Sequence, residues 1–227
     1  MLTKLRPEFK FITPTMLPAY RYAGLDSDQR LFDKLKIGIS ISGSEELHNY
    51  GMSDAHFRDA FAEIARYLII HGATLIYGGD LRKDGYTELL YSLVRSYFPE
   101  DINSDNKIKN YQFWPIHLNI TTDIRADLSD VLELISVDAP QDLKIDKDAF
   151  LEPSNAENRV IWAKSLSKMR EQMNRDLDVR ILLGGKKEDF LGKYPGLLEE
   201  AYLAIRDNKP LFVIGSFGGC IWQNKST

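Results

Sequence analysis

Apolar residues along the chain fall into two alternating patterns: short unbroken runs, and longer stretches in which they recur at helical spacing. The first run, KIGISIS from Lys36 to Ser42, is β-branched and passes into Gly43 and Ser44, as a buried strand entering a loop does. Ser53 or Asp54 can then cap a helix whose Phe57, Phe61, Ile64, Ala65, Leu68 and Ile69 share one face, with Gly72 ending it. TLIYGG, Thr74 to Gly79, predicts a second buried strand, and Thr87, Leu89, Leu90, Leu93, Val94 and Tyr97 mark a second amphipathic helix. Pro99 to Asn110 is polar and predicts a loop. FWPIHLN and VLELISV are weaker strand candidates. The longest helix is predicted from Asn155 to Asp178, along Val160, Ile161, Ala163, Leu166, Met169, Arg170 and Met173. VRILLGG, Val179 to Gly185, predicts another strand. Pro195 opens a helix through Leu197, Leu198, Ala201, Ala204 and Ile205, and PLFVIGSFGG, Pro210 to Gly219, predicts a last strand. Strands alternating with helices imply an α/β fold: Rossmann-like, with a doubly wound, mostly parallel sheet and helices on both faces. Residues 1–35 lack this periodicity and are expected to form an extension beside a single domain of residues 36–227.

Four of these strands end in glycine-containing turns: SGS, YGGD, LGGK and GSFGG. In an open parallel sheet the carboxyl ends of the strands share one edge, where ligands bind. Glycine admits a phosphate close to backbone N–H groups, and each following helix N-terminus adds partial positive charge. Neither GxGxxG nor GxxxxGK[ST] occurs, which argues against the usual dinucleotide dehydrogenases and phosphate-loop NTPases.

Charge narrows the partners further. A formal net charge of −4 opposes the basic surface that coats duplex DNA, while leaving room for one small anion held by local cations. Four scattered histidines show no metal-ligand spacing, so neither a metal nor a cofactor is expected. A single cysteine, Cys220, fits a reducing cytoplasm, and no apolar run is long enough to span a membrane.

The segments at 42–44, 73–80, 165–173, 181–186, 192–205 and 209–219 together resemble the SLOG superfamily, which takes its name from the Smf/DprA and LOG families. The resemblance covers roughly residues 36–220. Its most specific stretch is a Gly pair, a basic residue, a YPG turn, paired glutamates, and a strand ending in Gly-Gly. The LOG branch hydrolyses the N-glycosidic bond of nucleoside monophosphates with a PGGxGTxxE motif. This chain reads YPGLLEE instead. It is more similar to the sensor branch, such as the SLOG domain of the sirtuin–SLOG effector in the Thoeris anti-phage system, which binds cyclic ADP-ribose-type signals. That resemblance implies a nucleotide-signal sensor working as a homodimer or larger assembly, with an effector fused or associated outside these 227 residues. The alternative it implies is an N-glycosidase using Glu199 or Glu200.

The resemblance further implies ligand contacts from Arg170 on the long helix, from Lys186 or Lys187 after the Gly pair, and from Glu199 or Glu200. Adjacent helical positions differ by about 100°, so one glutamate is expected to face the site. Glu199 is preferred, with Glu200 turned outward beside Leu198 and Ala201. The loops add Gly43, Ser44, Gly78, Gly79, Asp80, Arg82, Gly184, Gly185, Tyr194, Gly196 and Gly218, and Phe217 either stacks on a base or packs in the core.

Overall fold

The computed structural model describes residues 30–79, 81–97 and 108–220. Six parallel strands form one sheet: β1 (Lys36–Ser42), β2 (Thr74–Tyr77), β3 (Ile108–Phe113), β4 (Leu132–Val137), β5 (Val179–Gly184) and β6 (Leu211–Ile214), in the order β4-β3-β2-β1-β5-β6. Five α-helices join them: α1 (Asp54–Ile70), α2 (Tyr86–Tyr97), α3 (Thr122–Leu128), α4 (Ala156–Asp176) and α5 (Gly196–Arg206). Helices α1 and α2 pack together, as do α4 and α5. The sheet is built outward from β1 through β4, then returns to β5 on the other side of β1. That reversal places a topological switch point between β1 and β5, where the two crossovers diverge and leave a crevice.

Alternation along β1 assigns the two faces. Ile37, Ile39 and Ile41 point into the main core with Phe57, Phe61 and Leu68 of α1 and Leu90 and Val94 of α2. Each fully buried Ile, Leu or Phe contributes about 1.5–3 kcal/mol from area removed from water. A second, smaller core forms on the α4 face from Ile76, Tyr111, Val137, Met169, Met173 and Leu177. Of the anticipated apolar positions on α4, Met169 and Met173 are buried and Val160 is exposed. Asn155 caps α4, its side chain accepting from the Asn158 N–H at 2.9 Å. Residues 30–35 lie against the end of α1, with the Phe32 N–H donating to the His71 carbonyl at 2.9 Å.

Three expected boundaries need correction. The loop expected to reach Asn110 ends earlier, because Ile108–Asn110 already pair with β2 and β4. Their polar residues disguise them: Asn110 and Gln112 are buried and hydrogen-bonded, so a central strand carries amides where apolar side chains are usual. Conversely, FWPIHLN is a strand only at Phe113. Pro115 has no N–H for a ladder, and Ile116–Asn119 turn into a 3₁₀ helix. Similarly, the last strand ends at Ile214, and Gly215–Phe217 form a short 3₁₀ turn.

The end of β5 depends on glycine. Gly184 has φ +71°, and a Cβ there would lie 2.6 Å from the Ser42 carbonyl oxygen and 2.7 Å from Phe57 Cζ. Gly43, in the loop after β1, has nothing within 4 Å of the same position. Gly184→Ala is therefore expected to cost more than about 1 kcal/mol in urea denaturation. Gly43→Ala should change stability by no more than about 0.5 kcal/mol.

Candidate functional site

At the switch point the carboxyl ends of β1, β2 and β5 surround a cleft of about 210 Å³. Its walls are Ser40, Ile41 and Ser42 of β1, Tyr77 and Gly78 after β2, Arg170 of α4, Lys186 and Phe190 after β5, and Gly196, Leu197 and Glu200 at the start of α5. Helix α5 thus aims its N-terminal turn at the cleft, bringing partial positive charge and N–H groups without intrahelical partners.

Beneath the cleft lies a buried ionic network. Arg180 points from β5 into the α5 face of the sheet and is fully enclosed. Gly38 faces it across the β1–β5 ladder, where a Cβ would stand at ordinary contact distance, 3.7 Å, from the guanidinium carbon but only 2.6 Å from Leu177 Cδ2. The Arg180 Nη1 donates to Glu200 Oε2 at 2.6 Å and to Ser40 Oγ at 2.8 Å, while the Ser40 hydroxyl donates to the same Glu200 oxygen. Burial lowers the Arg180 pKa from its ordinary value, with Glu200 opposing and Arg170 reinforcing that shift. Arg170 Nη1 donates to Glu199 Oε2 at 2.5 Å, its Nε lies 3.5 Å from Glu200 Oε1, and Ser167 donates to Glu199. Two arginines and two glutamates therefore neutralise one another at and beneath the cleft floor, where the enclosed Arg180 would be costly as a lone ion.

The outward orientation expected for Glu200 is overturned. Both glutamates are buried, and Glu200 lines the cleft, whereas Glu199 faces α4 and a separate groove. The physical reason is Arg180: an enclosed guanidinium needs a carboxylate, and Glu200 is the one that reaches it. Helix α5 therefore turns its acidic side inward and leaves Leu198, Tyr202 and Ile205 exposed.

Of the anticipated contacts, Gly78, Arg170, Lys186, Gly196 and Glu200 come together around the cleft. Gly79 lies behind it, its carbonyl accepting from Asn110 Nδ2 at 3.3 Å and Gln112 Nε2 at 2.5 Å, which holds the loop after β2. Gly184 and Gly185 are inside the fold. The Gly185 N–H donates to the Ser42 carbonyl at 2.9 Å and so is not directed at a ligand. Phe217 packs in the core against Phe57, ring centroids 5.1 Å apart, rather than facing a base. Gly43 and Arg82 are exposed and Ser44 is buried, none of the three lining the cleft, and Tyr194 lines the separate groove. Asp80 lies outside the described residues.

Lys187 has a different partner from the one expected. Its Nζ is paired with Glu46, on the loop after β1, whose other carboxylate oxygen accepts from the Gly219 N–H at 3.0 Å. The Lys187 hydrogen bond and the Gly219 N–H hold the Glu46 carboxyl below its ordinary range, and Glu46 in turn raises the Lys187 pKa. Glu46 thus ties together the loops after β1, β5 and β6, with Gly218 closing the turn beneath it. Lys186, by contrast, has no ion-pair partner among the described residues. Cys220 is half-buried, and burial pushes its thiol up, away from thiolate character. No cluster of metal-ligating side chains occurs among the described residues, and none of their helices is long and apolar enough to cross a membrane.

Ser40, Arg180, Glu46 and Ser167 are functional or supporting residues that sequence reading did not find. Arg180 carried a signal, a charge inside the apolar run VRILLGG; the others had none, because each is defined by a partner at least 32 positions away.

The family model for SLOG cluster2 matches residues 31–223. No curated protein matches the chain.

Two expected outcomes follow from this geometry. Arg180→Met leaves Glu200 buried beside a neutral side chain and should lower unfolding free energy by roughly 3–5 kcal/mol in urea. Adding Glu200→Leu should recover a substantial part, because the buried charge disappears with its partner; a double variant no more stable than the single one would refute pairing as the cause. Glu46 has a depressed folded pKa, so its contribution is present above its ordinary value near 4.5 and lost as pH falls through the lower folded value. The wild-type melting temperature should accordingly fall more steeply below that pH than that of Glu46→Gln.

Proposed function

The chain belongs to the SLOG cluster2 family, and on that premise we propose that it is a sensor that binds a nucleotide-derived signal of the cyclic ADP-ribose type, serving anti-phage defence. The family supports a nucleotide-related role, and the resemblance to the sensor branch supports the finer reading. The single observation that carries it is the position of Lys186. It lines a cleft whose other cation, Arg170, is already balanced by Glu199, as the enclosed Arg180 beneath it is by Glu200. An entering phosphate meets one uncommitted lysine together with the N-terminal turn of α5. Ser42 and Glu200 offer a hydroxyl and carboxylate oxygens to ribose hydroxyls. At about 210 Å³ the cleft suits a sugar–phosphate portion, leaving the rest of the ligand over the neighbouring loops.

The second reading, an N-glycosidase, is favoured by one observation, that Glu200 lines the cleft where a ribosyl cation would need a carboxylate. Against it, one Glu200 oxygen already accepts from both Arg180 and Ser40, so the negative charge is spread over existing partners.

A thermal-shift panel of ADP-ribose, its cyclic isomers, NAD and nucleoside monophosphates tests both readings, with chromatography of each mixture for released base. Binding to the native state alone raises stability by about 2.7 kcal/mol at a hundredfold excess over Kd. We expect a shift with ADP-ribose-type compounds and no base release. Absence of any shift would refute the sensor, and base release would establish the glycosidase. Lys186→Ala should weaken binding about ten- to hundredfold, the loss of one charge-assisted partner, and leave the ligand-free melting temperature unchanged. Arg170→Ala should instead lower that temperature before any ligand is added, because Glu199 loses its guanidinium.

A further inference from the structure

Three loops at the carboxyl edge of the sheet are bonded to one another. The Gly185 N–H donates to the Ser42 carbonyl and the Cys220 N–H to the Gly185 carbonyl, both at 2.9 Å. Where the loops converge stands Glu46. Its Oε1 accepts from Lys187 Nζ, and its Oε2 accepts from the Gly219 N–H at 3.0 Å. The backbone is shaped around this carboxylate. Gly218 and Gly219 have φ of +67° and +85°, and a Cβ on Gly218 would stand 2.5 Å from Glu46 Oε2. A Cβ on Gly219 would meet the Gly184 carbonyl carbon at 2.5 Å, so a side chain at either position would force the cradle open.

A lysine and the backbone N–H of a glycine turn, at the carboxyl edge of a parallel sheet, form a donor set that suits phosphoryl oxygens. Here the anion they hold is the protein's own. The pair is also open to solutes, the Glu46 side chain being 28% exposed and that of Lys187 43%. An ion pair so exposed contributes little, and exchanging its carboxylate for another anion costs correspondingly little.

We propose that Glu46 is a tethered competitor filling a second phosphoryl subsite, and that a diphosphate-bearing ligand displaces it on binding. Lys186 and Lys187 are consecutive, the first lining the cleft and the second held by Glu46. A diphosphate with one phosphoryl group beside Lys186 carries the other toward Lys187 and the Gly219 N–H, which receive it once the carboxylate leaves. The 3₁₀ turn Leu47–Tyr50 follows Glu46 directly, so its departure frees that turn from the loops after β5 and β6. Ligand entry thereby becomes a change in how three loops are joined. This regulation rests on the sensor reading for the identity of the ligand; the subsite itself answers to inorganic pyrophosphate.

Titration of the full chain with inorganic pyrophosphate, read by calorimetry and by the Gly219 amide resonance, compares wild type, Glu46→Gln and Glu45→Gln. The last removes the same formal charge from an exposed neighbouring position. Glu46→Gln should bind roughly ten- to hundredfold more tightly than wild type, the gain of one freed charge-assisted partner. Glu45→Gln should match wild type, and adding Lys187→Ala to Glu46→Gln should abolish the gain. Equal tightening by both glutamine variants would assign the effect to net charge and overturn the proposal. A Gly219 amide that stays in place at saturation would overturn it as well. Should Glu46→Gln fail to fold, wild type decides: a Gly219 amide that moves with pyrophosphate supports the subsite, and a stationary one refutes it. The nucleotide panel is scored separately. Pyrophosphate acting as expected, with no thermal shift from any nucleotide, leaves the subsite and removes the sensor. A shift with ADP-ribose whose affinity is the same in Glu46→Gln keeps the sensor and removes the competitor.

Discussion

A guanidinium is enclosed between β1 and α5, and much of the molecule's organisation answers to it. Arg180 has no exposed surface. The desolvation of such a group amounts to several kcal/mol even after relaxation, and only a well-placed carboxylate with supporting hydrogen bonds offsets it. Glu200 and Ser40 provide them at Nη1, whereas Nε and Nη2 are buried without a hydrogen-bond partner among the described residues. The requirement fixes the rotation of α5 about its axis, and that rotation then brings Glu199 to Arg170 and Ser167. One buried cation thereby sets the orientation of a helix, the pairing of a second ion pair, and the apolar character of the surface left outside.

The same network shapes the electrostatics of the cleft. A site with three uncommitted cations would bind anions with little discrimination. Here Arg170 and Arg180 are balanced internally, Lys187 is held by Glu46, and among the described residues Lys186 remains unpaired beside the first turn of α5. The charge offered to a ligand is therefore small and localised. Ser42 and Glu200 line the same cleft, and on the proposed reading their hydroxyl and carboxylate groups would receive the sugar of a phosphate-bearing ligand. Glu46 adds an internal anion at the meeting of three loops, where it accepts a backbone N–H and a lysine as a ligand oxygen would.

What the sequence by itself determined is the alternation of elements and the glycine turns at the carboxyl edge of the sheet. Unbroken apolar runs such as KIGISIS and VRILLGG report burial on both faces, and glycines after them report tight turns. These are local properties, carried by residues a few positions apart. The polar strand β3 was illegible for a related reason: Asn110 and Gln112 are at home in a buried strand only because the Gly79 carbonyl, more than 30 positions earlier, accepts their hydrogen bonds. Tertiary structure alone decided which glutamate faces the cleft, that Gly185 spends its N–H on the Ser42 carbonyl, and that Lys187 is held by Glu46 while Lys186 has no ion-pair partner among the described residues. Each depends on a partner brought close by folding. A charge's role is set by the nearest opposite charge and by the water excluded around it, and neither is written in the residue's own neighbourhood along the chain.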